Sequence, residues 1–203
     1  MTRDEFRPLL QQHIDANLLN VCLNDAATPY VFDTDEGAWN AFRDEFVHRI
    51  GVARDDIRVI GSGRFGFSMK PGNNLRSFAD TSDVDVVVVS SDFFDRAWLA
   101  LLEAAYPRDI TSHLLGGWLQ KGRNELYTGW LTPMAIKLDI RIFGVKAKPI
   151  LTLKGQWFEA LKRASQHPVK GFETLNGRVY RTWRHAELYH LNSLEALRAS
   201  LNP

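Results

Sequence analysis

Apolar residues recur along the chain with two periods, and those periods divide it into elements. Between residue 4 and about residue 23, Phe6, Leu9, Leu10, Ile14, Leu18, Leu19 and Cys22 return at threes and fours, the signature of one helical face. A second helix is predicted from about Thr34 to Ile50, with Asp35 and Glu36 at its positive end and Gly51 as its stop. A short β-rich run, 56–60, ends at Gly61. Residues 84–89, VDVVVV, hold four consecutive valines, which disfavour helix and suit a strand covered on both faces. Ser90 to Asp92 then caps a helix over roughly 92–106 with Phe93, Phe94, Trp98, Leu101, Leu102 and Ala105 inward. The glycine-containing stretch 107–131 reads as a hairpin or as a loop with a short helix.

Strict alternation returns in 134–143, MAIKLDIRIF. Met134, Ile136, Leu138, Ile140 and Ile142 fall on one side, and Ala135, Lys137, Asp139 and Arg141 on the other, so a strand is predicted. A helix follows from Lys154 to about Ser165, then a turn with a hairpin or loop over 167–182, then a last helix over about 182–201. Helices interleaved with few strands predict an α/β (α+β) fold, a small mixed β-sheet flanked by helices within a single domain, 1–203.

Composition narrows the class rather than the function. The 203 residues are 45% hydrophobic and 24% charged, as in ordinary globular proteins, and the net charge of +1 favours no polyanionic partner by itself. The one cysteine, Cys22, sits in an apolar stretch without metal-ligand spacing. No apolar run approaches the roughly 18 residues a membrane helix needs, and the polar start lacks a signal-peptide core, so a cytoplasmic protein without membrane partners is expected.

Three features concentrate the chemistry. The first is Gly61-Ser62 at the end of a strand, where backbone N–H groups and a hydroxyl can approach phosphate oxygens. The second is Asp83 and Asp85, two acids at i and i+2 that point to one side of the valine strand and repel each other. The third is Asp139 on the polar side of the later alternating run. Three carboxylates gathered by sheet pairing form the hard-oxygen cage that Mg²⁺ (or Mn²⁺) prefers, and bound cations let such acids coexist.

Taken in order, GSGRFGFSMKP, TSDVDVVVV and IKLDIRIF resemble the signature of the polymerase-β-like nucleotidyltransferase superfamily over roughly residues 57–143. The resemblance implies a catalytic core of about 35–165 that transfers a nucleoside monophosphate from an NTP to a hydroxyl and releases pyrophosphate. It implies that Gly61 and Ser62 hold the β- and γ-phosphates. Asp83, Asp85 and Asp139 are then the catalytic metal ligands, with Asp139 also able to help deprotonate the acceptor. Arg64, in the turn, and Lys154, at the start of a later helix, are candidate phosphate-binding cations. The long insert between the two motifs, FSMKPGNNLRSFADT, resembles that of members making oligonucleotide or cyclic-nucleotide signals, and small members often serve antiphage or toxin–antitoxin systems. Acceptors consistent with the resemblance are a nucleotide, a nucleic acid or a protein; a partner protein or a homo-oligomer is compatible with it. A non-catalytic nucleotide-sensing or partner-binding module is the alternative reading. The basic run 162–185, with Lys162, Arg163, Lys170, Arg178, Arg181 and Arg184, is either a solvated face or a groove for RNA, DNA or a nucleotide acceptor. The six histidines are assigned structural roles. Trp118, Trp130, Trp157 and Trp183 are assigned to the core rather than to base stacking.

Overall fold

The computed structural model describes residues 1–12, 16–23, 27–106, 116–138 and 140–201. Its helices are α1 (Arg3–Gln12), α2 (Ala16–Leu23), α3 (Glu36–Ile50), α4 (Ser62–Phe65), α5 (Ser91–Ala105), α6 (Gly116–Tyr127), α7 (Ile140–Phe143), α8 (Lys148–Ala164) and α9 (Trp183–Leu201). Its strands are β1 (Ile57–Ile60), β2 (Val84–Val89), β3 (Trp130–Leu131) and β4 (Leu175–Tyr180). Local chemistry accounts for several boundaries. Asp35 accepts a hydrogen bond from the Ala38 N–H at 2.8 Å to open α3, and Gly51 closes it with φ 72°. The Ser90 hydroxyl accepts from the Phe93 N–H at 3.1 Å at the start of α5.

The strands form one mixed sheet in the order β1-β2-β4-β3, with β1 and β3 antiparallel to their neighbours and β2 parallel to β4. The fold is the expected α+β arrangement of a small mixed sheet between helices. Alternation along β2 separates two layers. Val84, Val86 and Val88 join Ile57, Val59 and Val179 in the main apolar core with Phe42 and Phe46 of α3, Phe93 of α5 and Trp157 of α8. Val87, Val89 and Tyr180 face the other way, toward Leu23 of α2 and Ala186 of α9. A further cluster ties Phe6, Leu10, Leu18 and Cys22 to Phe67 and Leu75 and to Leu194 and Leu197 of α9. Among the described residues no helix is long and apolar enough to cross a membrane.

Three local expectations are corrected. The alternating run 134–143 is not a strand at its described positions: Pro133 opens a 3-10 turn, residues 136–138 are irregular and α7 follows. Proline offers no N–H to a ladder, and the place beside β2 is taken by β4. Ile136 is buried all the same, and its carbonyl accepts from the Lys154 ammonium at 2.7 Å instead of from a neighbouring strand. Sheet pairing sets Asn176 beside Asp85; Asp139, the expected third acid, lies outside the described residues. The second correction is that β4 is a strand inside what read as a turn with a hairpin or loop. On α5, finally, Ala97 and Ala100 are buried while Trp98 and Leu102 are about half exposed, so the inward face is rotated from the expected one.

Candidate functional site

The site begins with a sharp turn. β1 runs antiparallel to β2 with Ile60 opposite Asp85, so the residues after Ile60 come alongside the start of β2. Gly61 makes the turn at φ 60°, ψ −137°, a conformation strained for any residue with a Cβ. α4 then packs flat on the sheet: a Cβ on Gly63 would lie 3.1 Å from Val59 Cγ1 and 3.2 Å from Val84 Cγ1. The Ser62 hydroxyl donates to the Asp83 carbonyl at 3.3 Å. The Gly-Ser turn and the acids thus meet at one corner of the sheet.

Asp83 precedes β2 and Asp85 lies within it, two residues on, so both carboxyl groups project on the α9 side and line one cleft. Asp85 keeps surface open to that cleft while protein crowds it elsewhere. The crowding raises its pKa above the usual carboxylate range, Arg178 opposes the rise, and Asp83 adds to it. From β4, Arg178 stands opposite Val87 and two residues beyond Asn176. Its guanidinium donates to the Tyr189 hydroxyl at 2.6 Å and lies 5.2 Å from the Trp130 ring centroid and 4.9 Å from that of Tyr189. Burial works against its charge, but Tyr189, Tyr180 and Asp85 outweigh burial and raise its pKa. His190 of α9 closes this end. Burial first, then Arg178, lowers its pKa to about 4.

The acids suit a hard divalent cation. Two carboxylates share one face, Ser62 of α4 and Asn176 of β4 offer further oxygens alongside them, and the mutual cost of the acids would be relieved by positive charge. Asp83 and Asp85 would hold such an ion. Among the described residues no three His, Cys, Asp or Glu side chains gather to complete a cage.

The cleft has a volume of about 500 Å³. The acids and the Gly-Ser turn form one wall, and Lys70, Asn73 and Arg76 of the loop after α4 line it as well. Around Asp85 and Arg178 it adjoins a hollow of about 220 Å³, which shares Leu161 and Asn176 with a groove of about 760 Å³ beside α8. Lys70, Arg76 and Asn176 as site residues were not foreseen, and Arg178 was foreseen only as one cation of the basic run, not beside the acids. The sequence signal for Arg178 is the β-rich RVY at 178–180; for the loop cations it is only their place between the two motifs.

The anticipated phosphate-binding cations lie elsewhere. Arg64 is 6% exposed, turned inward beside the Phe65 ring at 5.3 Å, and acts on the buried Cys22 thiol, whose pKa burial pushes up to about 12. Lys154 sits within α8 on the Ile136 carbonyl and lines none of these cavities. The basic run 162–185 is dispersed: Arg181 pairs with Asp95, Arg184 with Glu187 and Lys170 with Asp33, while Arg178 enters the cleft. Trp157 is fully buried. Trp183 is half-buried, with the Arg58 guanidinium 5.2 Å from its ring. Comparison with family models, with curated proteins and with solved structures found no match to this chain.

Proposed function

We propose that this chain is a divalent-metal-dependent nucleotidyltransferase, acting in the cytoplasm on a nucleoside triphosphate and a hydroxyl acceptor. One observation supports this reading above the others: Ile60 opposite Asp85, with Ser62 bonded to the Asp83 carbonyl, brings a glycine-serine turn and a carboxylate pair to one cleft corner. In the transfer, an acceptor oxygen bonds to the α-phosphorus and the bond from that phosphorus to the bridging oxygen breaks. Pyrophosphate leaves with the electron pair, and the acceptor's proton passes to a carboxylate of the site or to water, a role the resemblance gives to Asp139. When bound, the metal supplies charge stabilisation for phosphate oxygens.

The chain's own contribution is orientation. The Gly61 N–H and the Ser62 hydroxyl lie beside the acids, although Ser62 must exchange its bond to the Asp83 carbonyl to grip a phosphate. Arg178, clamped by Tyr189, adds a fixed positive charge deep in the cleft. The hollow and groove beyond Asn176 give an acceptor nucleotide or oligonucleotide a route to the acids.

The test is incubation with each α-labelled NTP and dNTP, with Mg²⁺ or Mn²⁺, in the presence and absence of RNA, DNA and protein acceptors. Label should move into a new species, and the double variant Asp83→Asn/Asp85→Asn should lose transfer by at least about a thousandfold while keeping its fold. Transfer that survives in the double variant, or nucleotide binding without transfer under any condition, would replace this reading with a nucleotide-sensing module.

A further inference from the structure

Between the Gly-Ser turn and the acids the chain makes an excursion that ends beside its start. The Phe78 N–H donates to the Gly66 carbonyl at 2.8 Å, the Ser68 N–H donates to the Arg76 carbonyl at 2.7 Å, and Phe67 bridges Ser77. The tip is pinned internally: the Asn73 side-chain amide donates to the Ser68 hydroxyl at 3.0 Å, and the Asn73 and Arg76 N–H groups donate to the Lys70 and Asn73 carbonyls. Asn74 and Leu75 both adopt left-handed backbone, at φ 45° and 54°, and for a bulky residue such as Leu75 that persists only where surroundings enforce it. Here they do. Leu75 is 1% exposed, locked into the cluster formed by α1, α2 and α9, and Arg7 of α1 donates to the Asn74 side chain at 3.1 Å.

This scaffold holds two exposed cations, Lys70 and Arg76, on the wall of the cleft that also contains Asp83 and Asp85. Neither side chain makes an ion pair or a hydrogen bond with any described residue. One cleft therefore carries free positive charge on the arm and mutually repelling negative charge on the strand. A ligand that satisfies both must present anionic groups to the arm and a cation to the acids, as a polyphosphate chelating a divalent metal does.

We propose that residues 66–78 form a preformed polyphosphate-binding arm, in which Lys70 and Arg76 take the terminal phosphates of a triphosphate whose metal-bearing end lies at Asp83 and Asp85. The arm takes the part that Arg64 and Lys154 do not fill. The inference deepens the nucleotidyl-transfer reading and rests on it for the identity of the nucleotide, while the polyphosphate contact is measurable without turnover.

The experiment is calorimetric titration of the full chain with inorganic tripolyphosphate, with and without Mg²⁺. Lys70→Ala and Arg76→Ala should each weaken binding by about tenfold, the worth of one charge-assisted contact. Lys70→Arg should restore most of it. Lys148→Ala, which removes an exposed cation at the start of α8 that lines neither the cleft nor the hollow and groove beyond it, should leave it unchanged. With a labelled nucleotide, Arg76→Ala should raise KM far more than it lowers kcat. The arm is refuted if wild type fails to bind tripolyphosphate, if Lys148→Ala weakens binding as much as Lys70→Ala, or if both arm variants transfer nucleotide with unchanged KM. Tripolyphosphate held through Lys70 and Arg76 without transfer to any acceptor would uphold the arm and remove the nucleotidyl-transfer reading.

Discussion

The two faces of the sheet are built to opposite rules. On the α8 side, Val84, Val86 and Val88 pack with Ile57, Val59, Phe46, Phe93 and Trp157, and all of them are buried. On the α9 side, the same strands present Arg58, Asp85, Arg178 and Tyr180 to Trp183, Tyr189 and His190. The first face gains stability from dispersion and from apolar area removed from water. The second gives some of it up: Asp85 and Tyr180 have raised pKa values and His190 a lowered one, in each case chiefly because burial disfavours the charged form. Such ionisable groups resting on a valine strand mark where a fold spends stability on a site.

If that division is right, the faces respond differently to substitution. The largest effect belongs to Trp157→Ala. Trp157 has no exposed surface and its ring lies 5.8 Å from Phe46 and 5.9 Å from Phe93, so truncation should cost about 3–5 kcal/mol. Urea unfolding measures this, and a loss below about 1 kcal/mol would show that the α8 face is not closely packed. Next is Gly177→Ala on β4. An added Cβ would lie 2.7 Å from Trp157 Cζ2, and such overpacking should cost about 1–3 kcal/mol. Trp157→Phe in the same chain should relieve most of that cost, a coupling that a double-mutant cycle detects; simple additivity would place the constraint elsewhere.

Much of the first face was legible because local pattern encodes it. The valines of β2, the capping residues of α3 and α5, and the glycine turn after β1 each announce themselves within a few residues. The pair Asp83 and Asp85 was legible for the same reason, since alternation alone puts both on one side. β4 was not. Residues 167–182 read as a turn with a hairpin or loop, and the pairing of β4 with β2 is parallel and distant in sequence, so no local pattern carries it. Residues 134–138 show the converse. Their alternation is real and Ile136 is buried, but Pro133 and the Lys154 contact let an irregular segment bury the same residues. Lys70 and Arg76 look like solvated loop cations until Leu75, buried in the cluster of α1, α2 and α9, fixes where the loop returns.

The smallest effect at neutral pH belongs to His190, and it separates the faces by sign. Its ring lies 5.3 Å from that of Tyr189 and 6.0 Å from that of Tyr180, and its buried Nε2 has no hydrogen-bond partner among the described residues. A second proton would place an unpartnered N–H and a positive charge in that layer beside Arg178, which is why the folded-state pKa falls to about 4. The unfolded chain protonates near the ordinary value of about 6.5. His190 thus contributes stability that is fully present above about pH 6.5 and is lost as the pH falls toward 4, because the unfolded state then binds a proton the folded state resists. His190→Gln keeps a neutral polar side chain and should match the wild type near neutrality. As the medium is acidified from about pH 6.5 to about 4, the wild type should lose more stability than the variant, so their denaturation midpoints draw apart in the variant's favour. Parallel curves over that interval would mean that His190 takes up its proton in the folded protein, and that the α9 face is wetter than its packing requires.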